Sequence, residues 1–354
     1  MNNKQDFTER LLKWNKNKNN RSMPWKGEKD PYKIWVSEII LQQTRVEQGL
    51  IYYEKFIGKF PTIYHLTRAK EKKIFKLWEG LGYYSRCKNM IETAKRIVKR
   101  YNGTFPSSYD EIIKLKGIGP YTASAIASFA FNLPYAVVDG NVERVLARYF
   151  GIKKPTDTTE GKKFYTALAQ TLLDKKQPGI YNQAIMDFGA TVCKPQNPIC
   201  SDCSLRKKCV SFKKRWTGIL PVKTKSIERK NRWFYYFVVE TNEGGVYIGK
   251  RTNEDIWKNL YEFVLWETGR SITAKKIQLS DFLDQFFKGT KFTIKEVSEI
   301  YKQQLTHQTI QGQFIQVLVY PPFPALKEYI LIKKNKLKDY PLPKLINAYL
   351  QNQV

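Results

Sequence analysis

Four of the chain's five cysteines, Cys193, Cys200, Cys203 and Cys209, fall within 17 residues at the spacing C-x6-C-x2-C-x5-C. That cluster limits the fold more than any other feature, because thiols gathered so closely must share one chemical fate. The first 18 residues lack the apolar core of a signal peptide, so an intracellular, reducing setting is expected. Clustering there points to a bound metal or an iron-sulfur cluster rather than to disulfides. Four thiolates suit zinc as well, and coordination chemistry alone leaves both open. Lys194, Arg206, Lys207 and Lys208 are interleaved with the ligands, so the loop would present cations outward. Cys87, between Arg86 and Lys88, stands alone as an incidental thiol.

Upstream of that loop the chain reads as helix after helix. Phe7, Leu11, Leu12 and Trp14 recur at helical spacing. Asp30-Pro31, a capping side chain followed by Pro at the first helical position, opens a helix predicted over 32 to about 49. Others are predicted over about 71–79, 85–101, 109–115, 121–131, 140–149, 160–173 and 179–190, with breaks at the Gly and Pro residues of 58–61, 80–82, 103–106, 117–120 and 134. The stretch 213–230 is polar and basic, has no clear period and reads as a linker. Beyond it come strand-like runs at 233–241, 246–250, 263–266 and 314–320, with a helix near 278–287 and another at the C-terminus. The expected organisation is an all-helical domain over 1–212 that includes the cysteine loop 193–209, a linker over 213–230, and a mixed α/β domain over 231–354.

Charge is distributed unevenly between these parts. The chain carries 61 Lys and Arg against 32 Asp and Glu, a net +29, and hydrophobic residues at 42% supply enough material for folded cores. Residues 1–230 hold 44 of the basic and 20 of the acidic side chains, leaving only 17 and 12 to the rest. An excess of this kind binds phosphates by counterion release, so the first block is the expected polyanion surface. A Lys-rich proteome would give a similar excess, and motifs must decide between the two. No apolar run approaches the roughly 18 residues of a membrane span, so no membrane partner is expected.

Leu115-Lys116-Gly117-Ile118-Gly119-Pro120-Tyr121-Thr122-Ala123 joins a short helix to one rich in small residues. Gly117 and Gly119 let the backbone turn tightly, and the N–H groups opening the next helix are then free for an anion. An ordinary inter-helix turn would also carry Gly-x-Gly, but the apolar and small-residue context favours a phosphate-binding helix-hairpin-helix. Asp139, after Ala136-Val137-Val138, is an N-cap for the helix beginning near 140. N–H donors there are expected to lower its pKa and keep it ionised, able to stabilise a cation. Glu38 lies among Ile34, Trp35, Leu41 and Gln42 on an otherwise apolar helix, and shielding from water would raise its pKa toward that of a general acid. An ionised Asp139 beside a protonated Glu38 is a division of labour suited to breaking a glycosidic bond.

These segments together, with Met23-Pro24-Trp25, 31–46 (PYKIWVSEIILQQTRV), 80–86 (GLGYYSR), 138–148 (VDGNVERVLAR) and 182–190 (NQAIMDFGA), resemble the helix-hairpin-helix DNA glycosylases, and closely the MutY-type adenine DNA glycosylases. The resemblance covers almost the whole chain and implies removal of adenine mispaired with 8-oxoguanine or guanine in double-stranded DNA. It implies a [4Fe-4S] cluster on the four cysteines. Glu38 matches the general acid that protonates adenine N7, Asp139 the carboxylate that stabilises the oxocarbenium sugar, and Tyr121 a Tyr that assists the intermediate. Gln43 and Tyr83, with Leu81, match residues that enter the duplex, and Gln42, Thr44, Lys116, Gly117 and Gly119 fall at DNA-contacting positions. Met23, Trp25, Val46 and Asp187 match the lining of the adenine pocket, although core packing is the commoner fate of an aromatic such as Trp25. Endonuclease III relatives carry a Lys where Tyr121 stands. Without that amine the chain is expected to stop at an abasic site.

The second domain resembles the NUDIX-like module of the same family, with 255–263 (DIWKNLYEF) in place of its usual GLWGGLYEFP-like segment. The Glu-rich box that would bind Mg2+ in a hydrolase is missing from the sequence, so lesion recognition is expected rather than nucleotide hydrolysis. The family's Phe-Ser-His reading loop corresponds to Leu305-Thr306-His307, in which Thr keeps the hydroxyl and Leu replaces the aromatic. The expected protein is thus a bacterial, cytoplasmic, nucleoid-associated repair enzyme acting as a monomer. A thymine-mismatch or oxidised-pyrimidine glycosylase of the same fold is disfavoured by Glu38, Tyr121 and the second domain, and a non-catalytic lesion sensor by the retention of both Glu38 and Asp139.

Overall fold

The computed structural model describes residues 3–224, 228–278, 280–320, 326 and 328–353. The chain falls into two compact units, Met1–Arg68 with Asn89–Lys225, and Ala69–Lys88 with Ser226–Val354. Residues 69–88, expected within the helical domain, therefore cluster with the second unit.

The helices up to residue 213 are α1 (Asn3–Lys18), α2 (Pro31–Leu41), α3 (Val46–Lys59), α4 (Ile63–Arg68), α5 (Glu71–Trp78) and α6 (Tyr84–Tyr101). They continue as α7 (Tyr109–Ile112), α8 (Pro120–Phe131), α9 (Gly140–Phe150), α10 (Thr159–Leu172), α11 (Pro178–Thr191) and α12 (Val210–Lys213). The helix predicted over 32–49 is in fact two. Gln43 takes the left-handed backbone at φ +56° and the Thr44 N–H turns back to the Leu41 carbonyl at 3.1 Å, which ends α2. Apolar spacing ran on through Val46 and Leu50 and masked that break. The helix predicted over 109–115 is likewise shorter, α7 being one turn whose Ser108 hydroxyl accepts the Glu111 N–H at 3.3 Å.

One face of α1 supplies Phe7, Leu11 and Trp14 to a core shared with Leu146 and Tyr149 of α9 and Tyr181, Ile185 and Phe188 of α11. Burying each such side chain contributes roughly 1.5–3 kcal/mol. The first half of the stretch read as a linker packs on this unit. Leu220 is buried, Trp216 and Val222 lie against the same core, and the Thr156 N–H donates to the Val222 carbonyl at 3.1 Å.

The second unit holds β1 (Lys230–Thr241), β2 (Gly245–Lys250), β3 (Tyr261–Glu262), β4 (Val264–Thr268), α13 (Ala274–Gln278) and α14 (Asp281–Phe286). It continues with β5 (Phe292–Val297), β6 (Tyr301–Gln304), β7 (Gln308–Val319), β8 (Ile330–Lys333) and α15 (Lys344–Gln351). β1 and β7 run parallel in unbroken register from Lys230↔Gln308 to Thr241↔Val319. The other pairings are antiparallel: β2 and β4 on β1, β5 and β6 on β7, β3 and β8 on β2. A strand flanked on both sides loses its alternation, and β1 is buried continuously from Phe234 to Val239. Within the same unit, α5 is pinned to residues 340–342. The Lys76 ammonium donates to the Tyr340 carbonyl at 3.0 Å, and Glu79 accepts the Leu342 N–H at 2.7 Å.

Candidate active site

Glu38 sits two turns into α2, which Asp30 starts by accepting the Tyr32 N–H at 2.8 Å. Eight residues from Tyr32 to Ile40 are buried, and Glu38 itself is only 6% exposed. Burial raises its pKa to about 7, and the nearby Asp139 adds to the rise, while a hydrogen bond from Tyr121 opposes it. Tyr121, in the first turn of α8, is itself shifted well upward by burial and by the two acids, so it stays a neutral donor. The three residues expected to carry chemistry are therefore gathered in one unit. A carboxyl half-protonated near neutrality is a proton donor matched to its task.

Asp139 caps α9, its two oxygens taking the Val142 N–H at 2.8 Å and the Asn141 side-chain amide at 2.6 Å. Its pKa is nevertheless raised, not lowered as the cap alone implies. Desolvation is the larger effect and the N–H donors offset only part of it. A carboxylate so placed gains from any cation that forms beside it.

The approach to Asp139 is held by side chains that motif reading did not single out. Buried Asn182 accepts the Val137 N–H at 3.1 Å and donates to the Tyr135 carbonyl at 2.9 Å and the Ser128 hydroxyl at 3.0 Å. Gln170 accepts the Ala136 N–H at 3.0 Å. Arg144 donates to the Asn141 side-chain oxygen at 2.8 Å and to the Cys193 carbonyl at 2.7 Å, so the amide that orients Asp139 is tied to the cysteine loop. Asn141 and Arg144 lie inside the 138–148 motif, and an amide two residues past a capping Asp was the available signal.

In the hairpin, Gly117 adopts φ +77°, and a Cβ there would stand 2.7 Å from the Asn89 Cβ. Gly119 caps α8 with open space before it, and the first bond within the helix runs from the Ala123 N–H to the Gly119 carbonyl at 2.9 Å. Lys116 pairs with Glu92. Gln42 joins the end of α2 to this hairpin through the Thr122 hydroxyl at 3.2 Å, while Gln43 is exposed and Thr44 half-buried beside it.

Tyr83 also takes a left-handed backbone, φ +48°, and is 41% exposed. Leu81, expected with it to enter the duplex, is buried. Of the four adenine-pocket candidates, Trp25 is buried edge-on to Tyr53 at 5.2 Å, and Met23 and Val46 are half-buried. Asp187 is fully buried. Its oxygens take Arg21 at 2.9 Å, Gln183 at 2.9 Å, Asn19 at 2.9 Å and Lys26 at 3.1 Å, anchoring the loop that carries Met23 and Trp25.

Cys193, Cys200, Cys203 and Cys209 all line one cavity, with Arg148 and Arg206 among its walls. Arg148 donates to the Cys193 Sγ at 3.6 Å and to the Lys194 and Pro195 carbonyls at 2.6 and 2.9 Å. Among the described residues no three His, Cys, Asp or Glu side chains meet at a single ion's distance. Burial raises the thiols of Cys200, Cys203 and Cys209, that of Cys203 to about 12. Of the loop's cations, Lys208 is paired with Asp6 at 3.3 Å and Arg206 lies over the Phe212 ring.

In the second unit, Leu305-Thr306-His307 forms the turn between β6 and β7, closed by the Leu305 N–H on the Gln308 carbonyl at 2.7 Å. His307 is exposed, and the Thr306 and Tyr83 hydroxyls are hydrogen-bonded to each other, which brings two expected DNA-side residues together.

Residues 36–170 match the HhH-GPD superfamily of base excision DNA repair proteins, and residues 235–352 match the NUDIX domain. The adenine DNA glycosylase of Buchnera aphidicola subsp. Baizongia pistaciae is 36% identical over 324 residues, covering 88% of this chain and 86% of the relative. The helical part is similar to a solved thermostable thymine-DNA glycosylase, at 30% identity and a TM-score of 0.55 over 60% of this chain and 97% of that one. It shares its fold with an endonuclease III solved in a non-covalent DNA complex, at 24% identity and a TM-score of 0.52 over 61% of this chain and 99% of that one.

Proposed function

From a chain that belongs to the adenine DNA glycosylase family and so cleaves adenine from DNA in base excision repair, we infer a substrate, adenine opposite 8-oxoguanine or guanine in duplex DNA, and an end point, the abasic site. The observation that carries the chemistry is Glu38, buried and hydrogen-bonded by Tyr121 with no cation acting on it among the described residues, so that burial raises its pKa to about 7. It protonates the leaving adenine at N7, which turns a poor leaving group into a neutral one. As the glycosidic bond breaks, Asp139 faces the positive sugar and recovers part of its desolvation cost. Tyr121, bonded to Glu38, orients that acid. Its hydroxyl is no amine, so the sugar is released to water and no Schiff base forms.

Cys193, Cys200, Cys203 and Cys209, which line one cavity, would hold a [4Fe-4S] cluster, a group that four thiolates suit. When bound, the cluster supplies a cross-link that fixes residues 193–209, and through them the Arg144–Asn141 contact to Asp139. Arg148 on Cys193 offsets the negative charge such a site gathers. Duplex DNA is held through the 115–123 hairpin and the cationic surface, and Thr306 with His307 reads the base opposite the adenine. No described helix is long and apolar enough to cross a membrane, and the proposed setting is the bacterial cytoplasm, on the nucleoid, as a monomer.

Single-turnover assays on duplexes carrying A:8-oxoguanine, A:G, A:T and thymine glycol:A test this, with strand scission scored before and after alkali. Alkali-dependent cleavage at adenine, fastest opposite 8-oxoguanine, is expected. Scission without alkali, or an adduct trapped by borohydride, would overturn the end point.

A further inference from the structure

We propose that Arg232 is a positioning residue for the 305–307 turn, setting the pose of Thr306 and His307 through Gln308. The inference rests on the lesion-reading role given to that turn above and deepens it. Arg232 projects from β1 with its side chain 11% exposed. Its Nε and Nη2 donate to the two Glu267 oxygens, both at 2.6 Å. Nη1 and Nη2 donate to the two Asp255 oxygens at 2.8 and 2.7 Å, and Nη1 also reaches the Gln308 Oε1 at 3.0 Å. One planar fork thus draws together β4, the 251–260 loop and the first residue of β7.

Neighbouring Arg251 completes the cluster. It holds Glu262 at 2.9 Å and shares Asp255 at 2.6 Å, and both guanidinium groups lie over the Phe234 ring. Two arginines facing three carboxylates leave no positive excess, so these cations are neutralised inside the protein and are not offered to phosphates. What remains for Arg232 is geometry. Gln308 directly follows His307, its carbonyl accepts the Leu305 N–H at 2.7 Å, and the Lys230 N–H donates to the His307 carbonyl at 3.0 Å. Lys230↔Gln308 is also the terminal pair of the β1–β7 ladder, where strands fray. The Arg232 grip stops that fraying directly below the residues that read the lesion.

The test uses the full chain and compares single-turnover base release and binding on A:8-oxoguanine and A:G duplexes. Gln308→Ala removes only the grip and leaves the carboxylates on Arg232. Its preference for 8-oxoguanine over guanine is expected to fall about tenfold, the worth of one hydrogen bond to a charged group, with the A:G rate and the melting temperature unchanged. Gln308→Glu, which keeps an acceptor, restores the preference, and Arg232→Lys, which loses the fork, lowers it. Adding Gln308→Ala to Thr306→Ala costs nothing further, because both act through one turn. An undiminished preference in Gln308→Ala, with Thr306→Ala reduced, overturns the proposal for Arg232 alone. An undiminished preference in Thr306→Ala and His307→Ala as well overturns the lesion-reading role of the turn, and the proposal with it.

Discussion

Each unit buries a glutamate, and the two are buried on opposite terms. Glu262 of the mixed unit has a side chain 12% exposed and accepts two bonds from Arg251, at 2.9 and 3.0 Å, and one from the Tyr236 hydroxyl at 3.2 Å. Burial raises its pKa, but Arg251 pulls it back. Glu38 of the helical unit is as well buried, and the groups acting on it are a neutral hydroxyl and another acid. A buried acid given a cation serves the fold, whereas one denied a cation keeps its proton available for transfer.

Glu38→Gln gives the widest separation. Base release falls by about a thousandfold, the scale of general-acid catalysis, while a filter-binding affinity for the same duplex holds; activity within tenfold of wild type would end the role of Glu38. The same change stabilises the fold. A carboxyl whose folded pKa is about 7, against 4.5 for the free group, costs nothing below about pH 4.5 and progressively more up to about 7. The Gln variant therefore gains up to about 3 kcal/mol in denaturant melts at pH 8 and little at pH 4.5. Glu262→Ala is the mirror image, losing about 2 kcal/mol because Arg251 Nη1 and the Tyr236 hydroxyl lose their buried acceptor while Asp255 still holds Nη2, yet it still releases adenine from A:G. A variant that lost activity and kept its stability would erase the contrast.

Two smaller effects sharpen it. Wild-type base release declines about tenfold per pH unit above about 7, as Glu38 loses its proton; a flat profile from pH 6 to 9 would place the proton elsewhere. Asn141→Ala lowers the rate about tenfold by freeing one oxygen of Asp139, with the duplex affinity unchanged.

How much of this was legible followed the range of each cause. Glu38 could be read as shielded because Ile34, Trp35 and Leu41 sit on its own helix. Asp139 could be read as a cap, since Val142 is three residues away, but the sign of its shift could not, because the shell that desolvates it comes from other elements. The break at Gln43 left apolar spacing intact and so left no trace. β1 announced itself through 233–241, whereas β6 (YKQQ), and β5 with alternate residues exposed, lie on the margin of the sheet and read as polar chain. Thr306 and His307 were found by resemblance alone. Arg232 reaches partners 23, 35 and 76 residues away, a distribution that no local pattern records.

Gln43 and Tyr83 share a feature with a consequence for engineering. Both hold the left-handed backbone, which costs a side chain roughly 1–2 kcal/mol and a glycine almost nothing. Selection for heat tolerance alone would drift toward glycine at both positions and exchange the DNA contact expected of these side chains for a more relaxed chain. Libraries built from this scaffold are best screened on discrimination between mispairs, with these two positions held fixed, because on the proposed reading the tougher protein there is the less discerning one.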